Sequence, residues 1–196
     1  SRHGLWIISD EVYDRIVYDC DHVSFLGTGY EKLILVNSFS KTFAMTGWRI
    51  GYLLSTNLAA MQELIKLQYY ITACSNDAMQ YAVLEAFEVA NDYPEQMAIE
   101  FKARRDIICS RLNAIPGVSC HVPRGAFYVF PKVEVSGLTS EEVAIELLKG
   151  GVLCSPGSAF GASGEGHLRF AYTVSRDDIS TGMDKVEAVL SGLREN

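Results

Sequence analysis

Residues Asn37 to Gly51 read NSFSKTFAMTGWRIG, and the rest of the chain is organised around them. The run before them, Leu33-Ile34-Leu35-Val36, is apolar and reads as a buried strand. The chain must then turn, because Ser38, Ser40 and Thr42 offer hydroxyls that compete for the backbone and Gly47 relaxes it. Lys41 lies in that turn among Phe39, Phe43 and Met45. Apolar surroundings desolvate an amine and favour its neutral, nucleophilic form. Arg49 follows eight residues later, beside Trp48 and ahead of Ile50-Gly51-Tyr52-Leu53-Leu54. A lone S-x-x-K is ordinarily a loop lysine with its head in water, so the whole stretch has to be read together.

The chain has 196 residues, enough for one large domain or two small ones. Nearly half of them are apolar, so a packed core is possible without disulfides. A formal net charge of −7 and the lack of a basic run argue against a nucleic-acid partner. Cys20, Cys74, Cys109, Cys120 and Cys154 are scattered, odd in number and never spaced C-x-x-C. That usage fits a reducing, cytoplasmic setting and argues against a zinc site. No apolar run is long enough to span a membrane, and there is no internal repeat or low-complexity segment.

Leu5 to Ser9, LWIIS, reads as a buried parallel strand that ends at Asp10-Glu11-Val12-Tyr13. Acidic residues at the carboxyl end of such a strand sit where open α/β sheets place ligands, although an isolated Asp10 would more commonly cap the next turn. Glu11 and Asp14 read as solvent-facing or structural, Ile16 to His22 as loop, and His22 as a surface residue. Leu33–Val36 and Trp48–Leu54 supply two more strands. Three strands with few covering helices cannot bury both faces of a sheet. Helical spacing follows from Asn57 to about Tyr70, with Thr56 as N-cap. A second helix starts near Ser75-Asn76-Asp77 and runs to about Val89. A third has Pro94 in its first turn and reaches Leu112, ahead of Pro116-Gly117. Its charges, Glu100 to Asp106, read as a solvated face.

From Val118 the composition turns to strand, punctuated at Pro123-Arg124-Gly125. Thr139 and Glu142 form a capping box for a helix to Lys149, closed by Gly150-Gly151. Val152 to Ser155 reads as a short strand, and Pro156 to Gly161 as a glycine-rich loop that lacks a phosphate-loop pattern. In the strand HLRFAYT, His167 to Thr173, the charged residue is Arg169, which must either face water or meet a carboxylate. Arg176 to Leu193 closes the chain as a helix, with Ile179, Met183, Val186, Val189, Leu190 and Leu193 on one stripe and Arg176 in a structural role.

Ser38-x-Ser40-Lys41 followed by Gly47-x-Arg49-x-Gly51-Tyr52 resembles the pyridoxal-phosphate lysine segment of the class I/II aminotransferases. IISDEVYD, Ile7 to Asp14, resembles a second motif of that family; GAFYVFP, Gly125 to Pro131, resembles the first strand of its small domain. Gly164-Glu165-Gly166-x-x-Arg169 resembles the setting of its substrate arginine. The resemblance covers essentially the whole chain and is closest to the aspartate aminotransferase branch. It implies an α/β fold: part of the large domain of a fold type I pyridoxal-phosphate transferase, with three strands of its mixed sheet, followed by a small α+β C-terminal domain. The implied divisions are residues 1–70, interdomain helices over 71–117, and the small domain over 118–196. It implies a Schiff base between Lys41 and pyridoxal 5'-phosphate, with Lys41 also the general base. Asp10 would face the cofactor's pyridine nitrogen and Tyr13 its phenolic oxygen, while Ser38 and Arg49 would hold its phosphate. Arg169 would clamp the substrate's α-carboxylate, with Phe160 near the substrate.

The implied reaction moves an amino group between an amino acid and a 2-oxo acid. Other pyridoxal-phosphate enzymes of this fold, a C–S lyase or a cyclopropane-forming synthase, share the same logic, and so does the effector domain of an aminotransferase-like transcription regulator. Four cofactor contacts precede the Asp10 motif in the family: a Gly/Ser/Thr phosphate loop, a stacking aromatic ring, an asparagine, and a tyrosine from a partner subunit. With nine residues before Asp10, the chain reads as the C-terminal portion of a longer polypeptide. The expectation is weak cofactor binding in isolation, exposed sheet surface, and pairing as a homodimer or with an N-terminal half.

Overall fold

In the computed structural model, which describes residues 2–195, the apolar run before the lysine segment is the middle of a sheet. Strand β2, Leu33–Ser38, pairs in parallel with β1, Ile7–Asp10, and antiparallel with β3, Gly51–Leu54. The sheet is therefore mixed, in the order β1-β2-β3. Alternation along β2 sends Leu33, Leu35 and Asn37 to a buried face. The residues described divide into two compact units, one up to Ala98 and one from Ile99 onward.

In the first unit the sheet is followed by a single helical turn, α1, Phe39–Thr42. Two longer helices come next, α2, Leu58–Thr72, and α3, Asp77–Val89. The cap of α2 is Asn57 rather than the expected Thr56: its Oδ1 accepts the Ala60 N–H at 2.9 Å. Asn57 has the extended backbone that an N-cap needs. Asn76 caps α3 through the Met79 N–H. The first strand is parallel as expected, but it runs from Ile7 to Asp10 and is not buried, since Ile8 is 71% exposed. The third strand begins at Gly51 and not at Trp48, because Arg49 adopts a left-handed backbone that no strand can contain. Ile16 to His22 forms no helix or strand, as expected, yet Ile16 and Tyr18 within it are buried.

This unit leaves much apolar surface in water. All of β3 is exposed, and α2 buries no residue, with Leu67, Tyr69, Tyr70 and Ile71 each more than half exposed. The expected exposure of sheet surface is thus present and extends to the helices. Val83 is the buried residue of α3.

The second unit has a core of its own. Helix α4, Tyr93–Ala114, contributes Ile108, Cys109 and Leu112 to it. Strand β4, Val118–Ser119, pairs with β6, Lys132–Val133. A second small sheet centres on β8, Leu168–Ala171, with β5, Tyr128–Val129, and β7, Ser155–Pro156, antiparallel on either side. The short strand expected over Val152–Ser155 is therefore shifted, and Ser155 pairs with Arg169. Helix α5, Ser140–Lys149, carries the expected capping box between Thr139 and Glu142. Helix α6, Arg176–Glu195, buries Ile179, Met183, Val186 and Leu190 on one stripe. Arg176 bonds Glu100, in keeping with a structural role. No helix among the described residues is long and apolar enough to cross a membrane.

The two units should answer mutation differently. Leu147, at 0% exposure, loses about 2–5 kcal/mol of stability as Leu147→Ala. Tyr70→Ser, at an 84% exposed position, changes stability by less than about 0.5 kcal/mol. Urea unfolding of both variants measures the contrast.

Candidate active site

Strand directions decide where the motif residues go. Parallel pairing puts the carboxyl ends of β1 and β2 side by side, and antiparallel pairing brings the start of β3 to the same edge. Asp10 is the last residue of β1, Ser38 the last of β2, and Gly51 the first of β3. Tyr13, Lys41 and Arg49 lie within a few residues of those strand ends, on the connections at that edge, Lys41 in α1. Asp10 is in register with Val36, and side chains alternate, so Asp10, Val36 and Ser38 share one face of the sheet. Gly51 sits opposite Ser38, where a Cβ would stand 2.6 Å from the Asn37 carbonyl oxygen. Only glycine lets the two strands approach so closely at this point.

Ser38 caps α1: its hydroxyl accepts the Ser40 N–H at 3.1 Å and donates to the Ile50 carbonyl at 3.1 Å. That cap fixes the turn from which Lys41 projects, half-buried, with Nζ 6.0 Å from the centre of the Tyr13 ring. The phenylalanines flanking Lys41 have a packing duty of their own. Phe39 and Phe43, one turn apart, both meet the Phe87 ring edge-on, at 5.7 and 5.3 Å, and so fasten α1 to α3. Lys41 lies midway between them in sequence and so on another side of the turn. Asp10 is exposed, and its Oδ1 accepts the Val12 N–H at 3.2 Å, which turns the chain after β1 as an isolated aspartate would.

The link from Lys41 to Arg49 is strained at two places. Ala44 and Arg49 have φ of 54° and 55°, left-handed values that cost non-glycine residues about 1–2 kcal/mol each. At Arg49 the strain accompanies a defined side chain, with Nη1 donating to the Thr46 carbonyl at 2.8 Å. Arg49 borders a mainly apolar cleft of about 540 Å³, shared with Tyr52 and Leu53 of β3 and Met61, Leu64 and Gln68 of α2.

Arg169 belongs to the second unit. Its strand neighbours Leu168 and Phe170 are buried, and Arg169 points to the other face, half-buried. It meets neither of the two expected fates. No carboxylate pairs with it among the described residues, and its guanidinium is not simply in water. Instead Cζ lies 4.7 Å from the Tyr128 ring centre and 4.5 Å from that of Phe160. Its polar contact is a long one, Nη2 to Ser155 Oγ at 3.5 Å.

The aminotransferase class I and II family matches residues 1–186. The chain belongs to that family. It is 38% identical over 194 residues to an aspartate aminotransferase of Pyrococcus horikoshii, covering 97% of this chain and 49% of the relative. It is 42% identical over 192 residues to a probable aspartate aminotransferase of Methanocaldococcus jannaschii, covering 95% and 50%. Among solved structures, an aromatic aminotransferase from Pyrococcus horikoshii superposes with a TM-score of 0.91 at 38% identity, over 97% of this chain and 52% of that one. The chain spans about half the length of the curated relatives it matches. Its mixed three-stranded sheet and following α+β unit are a part of the α/β aminotransferase fold.

At this edge of the sheet, several contacts carry no sequence signal. Of the two roles expected for Glu11, solvent-facing or structural, the structure shows the second: it is buried and accepts from Ser9 Oγ at 2.9 Å and the Phe25 N–H at 3.1 Å. His22 is exposed, as expected of a surface residue, and its Nε2 lies 2.8 Å from Glu11 Oε2. Burial alone would raise the Glu11 carboxyl, but bonds from His22, Ser24, the Phe25 amide and Ser9 hold it down at about 2. The Asn37 side chain is a second hidden tie. Its amide donates to Asp14 Oδ2 at 3.1 Å, and its Oδ1 accepts the Ser38 N–H at 2.7 Å. Asn37 was readable in principle, since it follows Leu33 and Leu35 by steps of two onto the buried face. Tyr52 is raised above its ordinary value by burial and then by the carboxylates of Asp14 and Glu11.

Glu11 makes acid stability predictable. Its ordinary value is 4.5 and its folded value about 2, so its contribution is complete above pH 4.5 and fades as pH falls towards 2. The contribution is on the order of 3 kcal/mol. The stability difference between wild type and Glu11→Gln, measured by urea unfolding from pH 6 downward, should shrink across that window.

Proposed function

We propose that this chain carries the lysine-bearing part of a pyridoxal 5'-phosphate-dependent aminotransferase, which moves an amino group between an amino acid and a 2-oxo acid. The observation that carries the reading is the meeting of Asp10, Tyr13, Ser38, Lys41 and Arg49 at one edge of the sheet. That donor set suits the cofactor. It offers an amine for an aldehyde carbon, a carboxylate for a protonated ring nitrogen, a phenol for a phenolic oxygen, and a hydroxyl and a guanidinium for phosphate oxygens. When bound, pyridoxal phosphate supplies an electron sink for the substrate's α-carbon.

The chain's own residues do the rest. Lys41 is the covalent anchor and, once released, the base that moves a proton from the substrate α-carbon through Nζ. Its place in a capped turn, fastened by Phe39 and Phe43 to Phe87, limits how far Nζ can wander. Asp10 would offer its carboxylate to the cofactor's ring nitrogen. Ser38 and Arg49 fix the phosphate, and the left-handed backbone at Arg49 aims its guanidinium in a direction that a strand residue could not. Arg169 clamps the substrate's carboxylate with two parallel hydrogen bonds.

In this reading residues 1–70 belong to the cofactor-binding domain, 71–117 link it, and 118–196 form the small domain. The assembly is a cytoplasmic homodimer, or a pairing with an N-terminal half. The names of the similar proteins, which include aspartate, aromatic and alanine aminotransferases, support transfer over carbon–sulfur cleavage or ring closure, and leave the donor amino acid open.

Adding pyridoxal phosphate to the chain, reducing with borohydride and mapping peptides by mass should mark Lys41 above Lys32 and Lys66. Lys41→Ala should abolish that mark, and Arg49→Ala should weaken cofactor binding about tenfold or more. Equal labelling of several lysines, unchanged in Lys41→Ala, would overturn the proposal.

A further inference from the structure

We propose that Tyr128 and Phe160 are positioning residues for Arg169, holding its guanidinium against two aromatic rings so that its N–H donors stay available to an incoming carboxylate. The inference rests on the reading of Arg169 as the carboxylate clamp. Both rings lie within cation–π range of Cζ, at 4.7 and 4.5 Å. Rings against the guanidinium use none of its in-plane donors, so contact with them orients the fork without occupying it. Its hydrogen-bond contact with Ser155 Oγ, at 3.5 Å, is too long to compete with a carboxylate.

The rings are themselves held. Tyr128 of β5 is in register with Ala171 of β8, two residues along the same face from Arg169, so it is a diagonal cross-strand neighbour. Phe160 ends the 3₁₀ turn Gly157–Phe160 that leaves β7. That turn is locked by a backbone contact no larger residue would permit. A Cβ on Gly157 would fall 2.0 Å from the Gly164 carbonyl oxygen, and one on Gly164 would fall 2.1 Å from that of Gly157. The Gly157 N–H also donates to the His167 carbonyl at 2.8 Å, tying the turn to the strand that carries Arg169. Behind Phe160 stands Phe130, edge-on at 5.8 Å, and Phe130 in turn stacks on His167 at 5.1 Å. The result is a continuous row, His167, Phe130, Phe160, Arg169 and Tyr128, in which an exposed loop aromatic has a fixed place. The glycine-rich loop, which lacks a phosphate-loop pattern, thereby acquires a purpose: it delivers Phe160.

The test uses the full chain and maleate, a carboxylate that cannot be transaminated. The Arg169 Nε–H resonance is followed by NMR, first alone and then as maleate is added. In the wild type it should sit upfield from ring currents and shift saturably with maleate. Tyr128→Leu and Phe160→Leu should each move it downfield before any ligand is added and weaken maleate binding by roughly fivefold. Tyr128→Phe and Phe160→Tyr should restore both readings, which mere loop collapse would not produce. Unchanged Val129 and Phe170 amide resonances show that the sheet is intact. Arg169→Lys should weaken binding by more than about tenfold. If Arg169→Lys weakens maleate and the leucine variants do not, the positioning proposal is wrong while the clamp stands. If wild type shows no saturable shift, or Arg169→Lys binds as well, the clamp reading falls and this proposal with it.

Discussion

The register of β2 against its two neighbours is the constraint on which the first unit depends. Asp10 opposite Val36 and Ser38 opposite Gly51 are backbone pairings, yet together they decide which side chains share an edge. A slip of one residue in either ladder would send Asp10 or Ser38 through the sheet to the other face. Several features guard that register. Gly51 admits the close approach, the buried Asn37 bonds both the Ser38 amide and Asp14, and Glu11 ties the end of β1 to Ser9 and Phe25. Residues that take no part in the proposed chemistry thus hold the ones that do.

The two units are stabilised in different ways. The second has fully buried large side chains from each of its longer helices, with Leu112, Leu147, Val186 and Leu190 at or near zero exposure. The first depends more on hydrogen bonds and local caps, while Leu58, Tyr69, Tyr70 and Tyr81 stand in water. Apolar surface on that scale is costly in water. The chain spans about half of its relatives' length.

Around Arg169 the physics is of another kind. A charged group in a strand between two buried residues must be compensated, and here aromatic quadrupoles do part of that work. Compensation by rings leaves the hydrogen-bonding capacity unspent, whereas a protein carboxylate would have consumed it. The five cysteines, by contrast, are all unbridged, and Cys109 and Cys120 are packing groups in the core, with Sγ atoms 4.0 Å apart.

The sequence by itself determined the element types, the capping box at Thr139 and Glu142, the apolar stripe of α6, and the motifs around Asp10, Lys41 and Arg169. Those are local properties: periodicity, cap chemistry and spacing act over a few residues and survive in the linear chain. Tertiary structure alone decided that β3 starts after a left-handed Arg49 and that Glu11 is buried in a web of donors with His22 at its rim. It alone also set Tyr128 and Phe160 against Arg169. Each of these joins residues separated by a turn or by tens of positions, through contacts whose existence depends on strand register and loop closure. Such contacts have no signature in composition or period, because the partner that defines them is brought near only when the chain has folded.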